Sequence, residues 1–229
     1  MPKMPLQTQA AHNPKGAPMT ERIWDISQRL SACTPLWPGE PDLVLKRNVS
    51  IGPDCPVNIG EISFPLHAGT HADAPLHYCN DGVASADSPL TPYIGPCMVV
   101  DARGAGDRVE QDDCDWAMLG GATRVLFRTY ARFPHDHWDE NFKAIAPDLI
   151  ARLRDGGAVL IGTDTPSLDP QTSKTMDAHH EILRGDMRIL EGLVLEDVAA
   201  GAYELIALPL AIEGADASPV RAILREMPQ

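Results

Sequence analysis

The sequence predicts a strand-rich α/β domain, and three observations carry that prediction. Short apolar runs bounded by Gly, Asp or Pro recur from residue 97 onward, a pattern of buried strands. One amphipathic segment with Pro at its start and paired Gly at its end leads into such a run, which makes an αβ unit. The 21 prolines among 229 residues interrupt the chain too often for a helical bundle.

Residues 1–21 hold Pro, Gln, Asn, Lys and Gly without a long apolar run. They read as a poorly ordered extension, with no signal-peptide core and no membrane span. Folded structure is expected from residue 22 to the end, 22–229, with no internal boundary. Ile23 to Ile26 is a short strand, followed by the proline-punctuated loop from Thr34 to Pro41. Leu43 to Val49 alternates apolar with charged residues, as a half-exposed strand does. Asn58 to Leu66 is a further strand leading towards a cluster of histidines.

Three apolar runs predict buried strands: Cys97 to Val100, Arg124 to Arg128 and Ala158 to Gly162. Pro147 to Arg154 predicts a helix. Pro147 suits its first turn, Leu149, Ile150 and Leu153 form one face, and Gly156-Gly157 stops it. A second helix is expected between Thr175 and Leu183, ending near Gly185. Tyr203 to Ile212 and Val220 to Glu226 complete the strands.

The chain has 32 acidic and 19 basic residues, a formal charge of −13. Such a surface repels nucleic acid and anionic lipid, so neither is expected as a partner. With 44% hydrophobic and 22% charged residues, the composition is that of a soluble globular protein. Five cysteines, at 33, 55, 79, 97 and 114, form no C-x-x-C pair and are odd in number. A reduced cytoplasmic compartment is the simplest expectation, and a zinc-finger spacing is absent.

Chemistry concentrates between residues 67 and 77. Of eight histidines in the chain, His67, His71 and His77 fall there, with Asp73 among them. All four occupy odd positions, so an extended segment would place them on one side. Gly69 and Pro75 argue against a continuous helix, and a strand end running into a loop suits the pattern better. Imidazole and carboxylate together suit zinc and similar divalent ions. The two oxygens of Asp73 can bridge two such ions. Hydrogen bonding within a polar loop accounts for any one of these residues, but less well for four together.

One such run does not complete a two-metal site. Candidates for the remainder are His179-His180 with Asp177, Glu181 and Glu191. Adjacent helical histidines point about 100° apart, so only one can face a given site. His135 and His137, beside Asp136 and Asp139, form a competing cluster in what reads as an exposed loop.

The run His67-Ala-Gly-Thr-His71-Ala-Asp73-Ala-Pro-Leu-His77 resembles the H-x-G-T-H-x-D-x-P-x-H motif of the cyclase family of metal-dependent hydrolases, at every defined position. The resemblance spans roughly residues 22 to 226. It includes Trp24-Asp25-Ile26-Ser27, Thr34 to Gly39, Ala178-His179-His180, Ile189 to Leu193 and Glu204 to Leu210, which look like the formamidase branch of that family.

It implies a swivelling β/β/α single domain, usually a homodimer, with two divalent metal ions per subunit. Zn²⁺ is the first expectation and Mn²⁺ or another divalent ion an alternative. His67, His71 and Asp73 would bind one ion. Asp73, His179 and Glu191 would bind the other, His77 would give and take the proton, and Trp37 would pack on the substrate's aryl ring. Without the resemblance, Trp37 among prolines would be a packing residue. The implied reaction is hydrolysis of the aryl formamide N-formyl-L-kynurenine to L-kynurenine and formate, in tryptophan breakdown. The alternatives are another hydrolase of the family, opening a cyclic amide such as isatin, and a non-catalytic metal-binding module.

Overall fold

A computed structural model describes residues 22–227; the extension expected over 1–21 lies outside the described residues. The first strands are β1 (Ile23–Asp25), β2 (Val44–Val49), β3 (Ile59–Ser63), β4 (His71–Asp73), β5 (Ile94–Asp101), β6 (Arg108–Val109) and β7 (Arg124–Arg128). There follow β8 (Ala144–Ile145), β9 (Leu160–Thr163), β10 (Arg188–Glu191), β11 (Gly201–Ile206), β12 (Ala217–Pro219) and β13 (Ile223–Arg225). The α-helices are α1 (Trp116–Leu119), α2 (Pro147–Asp155) and α3 (Asp177–Arg184).

Nine strands form one sheet, in the order β1-β13-β11-β5-β7-β9-β10-β4-β12. Its centre, β5-β7-β9-β10, is parallel, and the flanking strands pair antiparallel. Both faces of the centre are buried, which is why the segments Cys97 to Val100, Arg124 to Arg128 and Ala158 to Gly162, which overlap β5, β7 and β9, are apolar runs. Val125, Phe127, Ile161 and Ile189 face Leu149, Ile150 and Leu153 of α2 and Ile182 of α3. Each such side chain contributes roughly 1.5–3 kcal/mol by leaving water.

The alternate residues Val99, Leu126, Leu160 and Leu190 point to the other side. There they share one core with Leu205 and Leu224 from the flanking strands. Strands distant in sheet order meet in that core because the sheet curls over itself. Two β layers and one α layer result, matching the strand-rich β/β/α architecture expected.

Several predicted elements differ at their ends. The strand expected over Tyr203 to Ile212 stops at Ile206: Pro209 cannot donate to a ladder, and the Leu210 amide is taken by Ser218 Oγ at 2.7 Å. The strand expected over Asn58 to Leu66 pairs only to Ser63, just before Pro65. The histidine run is not a strand end followed by a loop. A turn holds His67, β4 holds His71 and Asp73, and a short 3₁₀ turn, Pro75–His77, closes it. β10 carries no alternation or flanking proline to mark it in the sequence, yet it is fully buried and central.

Candidate active site

The pairing of β4 with β10 builds the base of the site. Glu191 lies opposite His71, Leu190 opposite Ala72, and Ile189 opposite Asp73. Side chains alternate along a strand and directly opposed residues share a face. Ala72 and Leu190 therefore enter the inner core, while His71, Asp73 and Glu191 share the opposite face. Glu191 ends β10, a parallel strand, and sheets of this kind build their sites at the carboxyl ends of parallel strands.

The turn before β4 brings in His67. Gly69, with φ 64°, makes that turn, and its carbonyl accepts a hydrogen bond from His71 Nδ1 at 3.0 Å. Gly192 lies directly beneath: a Cβ there would meet Gly69 O at 2.4 Å, and its own φ is 62°. Thr70 Oγ1 donates to Gly192 O at 2.6 Å, tying the motif to the end of β10. α3 supplies His179. Asp169 accepts from the Ala178 and His179 amides at 3.0 and 3.1 Å and from His179 Nδ1 at 2.6 Å. The same carboxylate caps the helix and aims His179 Nε2 inward.

These atoms converge. Asp73 Oδ1 is 3.1 Å from His67 Nδ1 and 3.2 Å from His71 Nε2, and its Oδ2 is 3.3 Å from His179 Nε2. Glu191 reaches His71 Nε2 at 3.4 Å and His179 Nε2 at 3.6 Å. Three of the atoms, His71 Nε2 and both Asp73 oxygens, are buried without a hydrogen-bond partner. They lie at ion-pair distance but are not aligned on one another. Buried polar groups left this way are expensive, roughly 1–3 kcal/mol each.

Electrostatics tells the same story. Burial pulls His71 and His179 down, but neighbouring carboxylates outweigh it and raise each to about 10, Asp73 and Glu191 at His71 and Asp169 with Asp73 and Glu191 at His179. Burial pushes Asp73 up, and the three imidazoles outweigh it and hold the carboxyl well below its usual range. A cluster that draws protons this strongly favours a cation of any kind. A divalent ion needs neutral imidazoles and displaces those protons. The orphaned acceptors, oriented imidazoles and mixed N/O donors fit such an ion.

His77 stands at the rim, with 30% of its side chain exposed. Its Nδ1 is 3.5 Å from Asp216 Oδ2, which also lies 3.2 Å from His67 Nε2. His77 also lies close enough to Asp73 and His179 to complete a possible ligand set with them. Above this base opens a cavity of about 320 Å³, lined by Trp37, Trp138, Phe133 and Tyr130 among others. Trp37 meets Trp138 edge-on at 5.3 Å and Phe142 at 6.3 Å.

Of the residues singled out in the sequence, His67, His71, Asp73, His77, His179, Glu191 and Trp37 come together here. His180 is half-buried and contributes no atom to the cluster. Asp177 is exposed, and Glu181 is engaged by Arg154 and Arg184. The competing cluster does not assemble: His135 pairs with Glu196 at 3.0 Å, while His137 pairs with Asp136 at 2.9 Å. Asp169 and Asp216 were not anticipated. Asp216 lies 149 residues from His67 and Asp169 10 residues before His179, with no spacing to announce either.

A family model described as "Putative cyclase" matches residues 24–170. The chain is 62% identical over 206 residues to a kynurenine formamidase of Sphingopyxis alaskensis, covering 90% of this chain and 99% of that relative. It is 56% identical over 207 residues to a kynurenine formamidase of Maricaulis maris, with the same coverage. A solved structure described as a potential metal-dependent hydrolase with cyclase activity superposes with a TM-score of 0.78 at 29% identity, covering 92% of this chain and 100% of that one. An isatin hydrolase bound to the product analogue thioisatinate superposes at 0.74 with 23% identity, covering 90% and 92% of the two chains, and shares the fold. The chain belongs to the cyclase family, in the branch of the kynurenine formamidases.

Proposed function

We propose that this protein hydrolyses the formamide C–N bond of N-formyl-L-kynurenine, giving L-kynurenine and formate, within tryptophan breakdown. The observation that carries this reading is the set of orphaned, converging donors at the base of an aromatic-walled cavity, with a partly exposed histidine beside them. The kynurenine formamidases similar over nine-tenths of the chain point to the same substrate.

His67, His71 and Asp73 would hold one divalent ion, and Asp73, His179 and Glu191 a second, with Zn²⁺ the first candidate and Mn²⁺ another. Support for two comes from Asp73, whose oxygens face different imidazoles. Divalent ions held there supply Lewis acidity, polarising a carbonyl oxygen and making hydroxide available near neutral pH. The chain's own groups do the rest. Trp37 and its aromatic neighbours present flat apolar faces to an aryl ring, worth about 0.5–1.5 kcal/mol beyond burial. Water adds to the formyl carbon, and His77 takes up the proton released. The C–N bond then breaks, and His77 returns the proton to the departing aryl amine. Asp216 Oδ2 lies 3.5 Å from His77 Nδ1, which leaves Nε2 as the nitrogen for the proton traffic in this reading.

A homodimer is part of this reading. Its support is the β2–β3 ribbon with its connecting segment, which exposes Leu45, Ile51 and Ile62, apolar side chains a second copy can cover. Five cysteines, none in a disulfide, support a reducing cytoplasmic setting. Among the described residues, no helix is long and apolar enough to cross a membrane.

The test is a side-by-side assay of N-formylkynurenine and isatin with the purified protein. Turnover of the formamide, abolished by chelation and restored by metal, is expected. Full activity in rigorously metal-free protein, or turnover of isatin alone, would overturn the reading.

A further inference from the structure

Among the described residues lining the cavity there is no Lys or Arg, although the substrate proposed above ends in an α-amino acid. Carboxylates do line it: Glu40, Asp139, Asp164 and Glu191. Glu191 belongs to the cation cluster. Asp164 is spent on the Thr129 and Tyr130 backbone and the Thr129 hydroxyl, at 2.7–3.0 Å. Glu40 is exposed at the mouth, whereas Asp139 is partly buried.

Asp139 is also oriented. Its Oδ2 accepts from the Tyr130 hydroxyl at 2.9 Å, and its Oδ1 accepts from the Asn141 amide at 3.0 Å. A carboxylate has about four acceptor positions, so two remain for a cation. Tyr130 is fixed in turn, because Asp164 binds the backbone of residues 129 and 130. Burial raises the Tyr130 phenol, which keeps it a donor. Next to Asp139 in sequence, Trp138 Nε1 donates to Gln171 Oε1 at 2.8 Å. An indole N–H can only donate, so the bond fixes the Gln171 amide with its NH₂ group available.

Resting on the formamidase reading, we propose that Asp139 and Gln171 recognise the amino-acid end of the substrate. Asp139 accepts the α-ammonium, and the Gln171 amide donates to the α-carboxylate. The aromatic wall, shared through Trp138, holds the ring between this end and the cation cluster. Recognition of the carboxylate by a neutral donor fits a cavity whose described lining holds no Lys or Arg, with His67, His71 and His77 at the cation cluster and His137 paired to Asp136, and a substrate carrying the anionic group alone is disfavoured.

The experiment compares kcat/KM for N-formylkynurenine and for formanilide, which lacks the amino-acid end, in the metal-loaded full-length protein. Gln171→Glu keeps the acceptor for Trp138, whereas Asp139→Asn keeps one of the two acceptor oxygens and turns an NH₂ group towards Tyr130 or Asn141, so formanilide turnover and a thermal melt of each variant report any local disturbance separately from loss of the charge. Asp139→Asn should lower the preference for N-formylkynurenine over formanilide about 10–100-fold, mainly through KM, as loss of a charge-assisted hydrogen bond does. Gln171→Glu should lower it about tenfold or more by repelling the carboxylate. With substrate whose α-amine is acetylated, wild-type and Asp139→Asn proteins should converge. An unchanged preference in both variants overturns the proposal. So does an equal loss on both substrates, or a wild-type enzyme indifferent to acetylation of the amine. Failure of the wild type to hydrolyse either formamide instead refutes the formamidase reading beneath it.

Discussion

Replacing Asp169 tests whether the cation cluster is organised from outside its own ligands. The carboxylate touches no substrate, yet it accepts from His179 Nδ1 at 2.6 Å and from the first amides of α3. Asp169→Asn removes the charge and turns an NH₂ group towards one of those donors. A hydrogen bond to a charged group contributes about 1.5–3 kcal/mol. Loss of a carboxylate behind a metal-binding histidine typically weakens metal about 10–100-fold, which is about 1.4–2.8 kcal/mol and of the same size. The assay is a metal titration against a competing chelator, with melting of the metal-free protein alongside. Asp177→Asn, an exposed acid at the start of the same helix, is the control and should bind metal as the wild type does. Metal affinity unchanged in Asp169→Asn would refute the view that Asp169 positions His179.

Three further outcomes follow from the same geometry. His77→Ala should keep its metal and lose turnover by about 10²–10⁴-fold; loss of one metal equivalent would instead make His77 a ligand, as its proximity to Asp73 and His179 allows. Gly192→Ala combines a φ of 62° with a Cβ 2.4 Å from Gly69 O, so denaturant unfolding should show a loss of at least about 1–3 kcal/mol, and a change within error would contradict the packing described. Asp164 is raised by burial to about 6, against the pull of the Thr129 and Tyr130 hydrogen bonds. The folded state therefore binds its proton more tightly than the unfolded state does, and stability drawn from this group is lost as pH rises from about 4 to 6. Two pH units at about 1.4 kcal/mol each give about 3 kcal/mol; in melts, the stability of wild type relative to Asp164→Asn should fall by that amount across the range, and a relative gain there would reverse the assigned sign.

The sequence by itself determined the fold class, most strands, both longer helices and the family. Period-two and helical patterns are local, and the motif from His67 to His77 is contiguous, so neither needs the third dimension. Arg124–Arg128 was legible to the residue because a strand buried on both faces is apolar throughout. What the tertiary structure decided is which distant groups meet that motif. Glu191 faces His71 only through the β4–β10 register, on a strand with no pattern of its own. Asp169 and Asp216 orient imidazoles from 10 and 149 residues away. Asp139 came out of an apparent surface loop as a cavity wall, fixed by Tyr130. Contacts of this kind follow from strand register and loop packing, which are properties of the whole folded chain and leave no periodic trace along it.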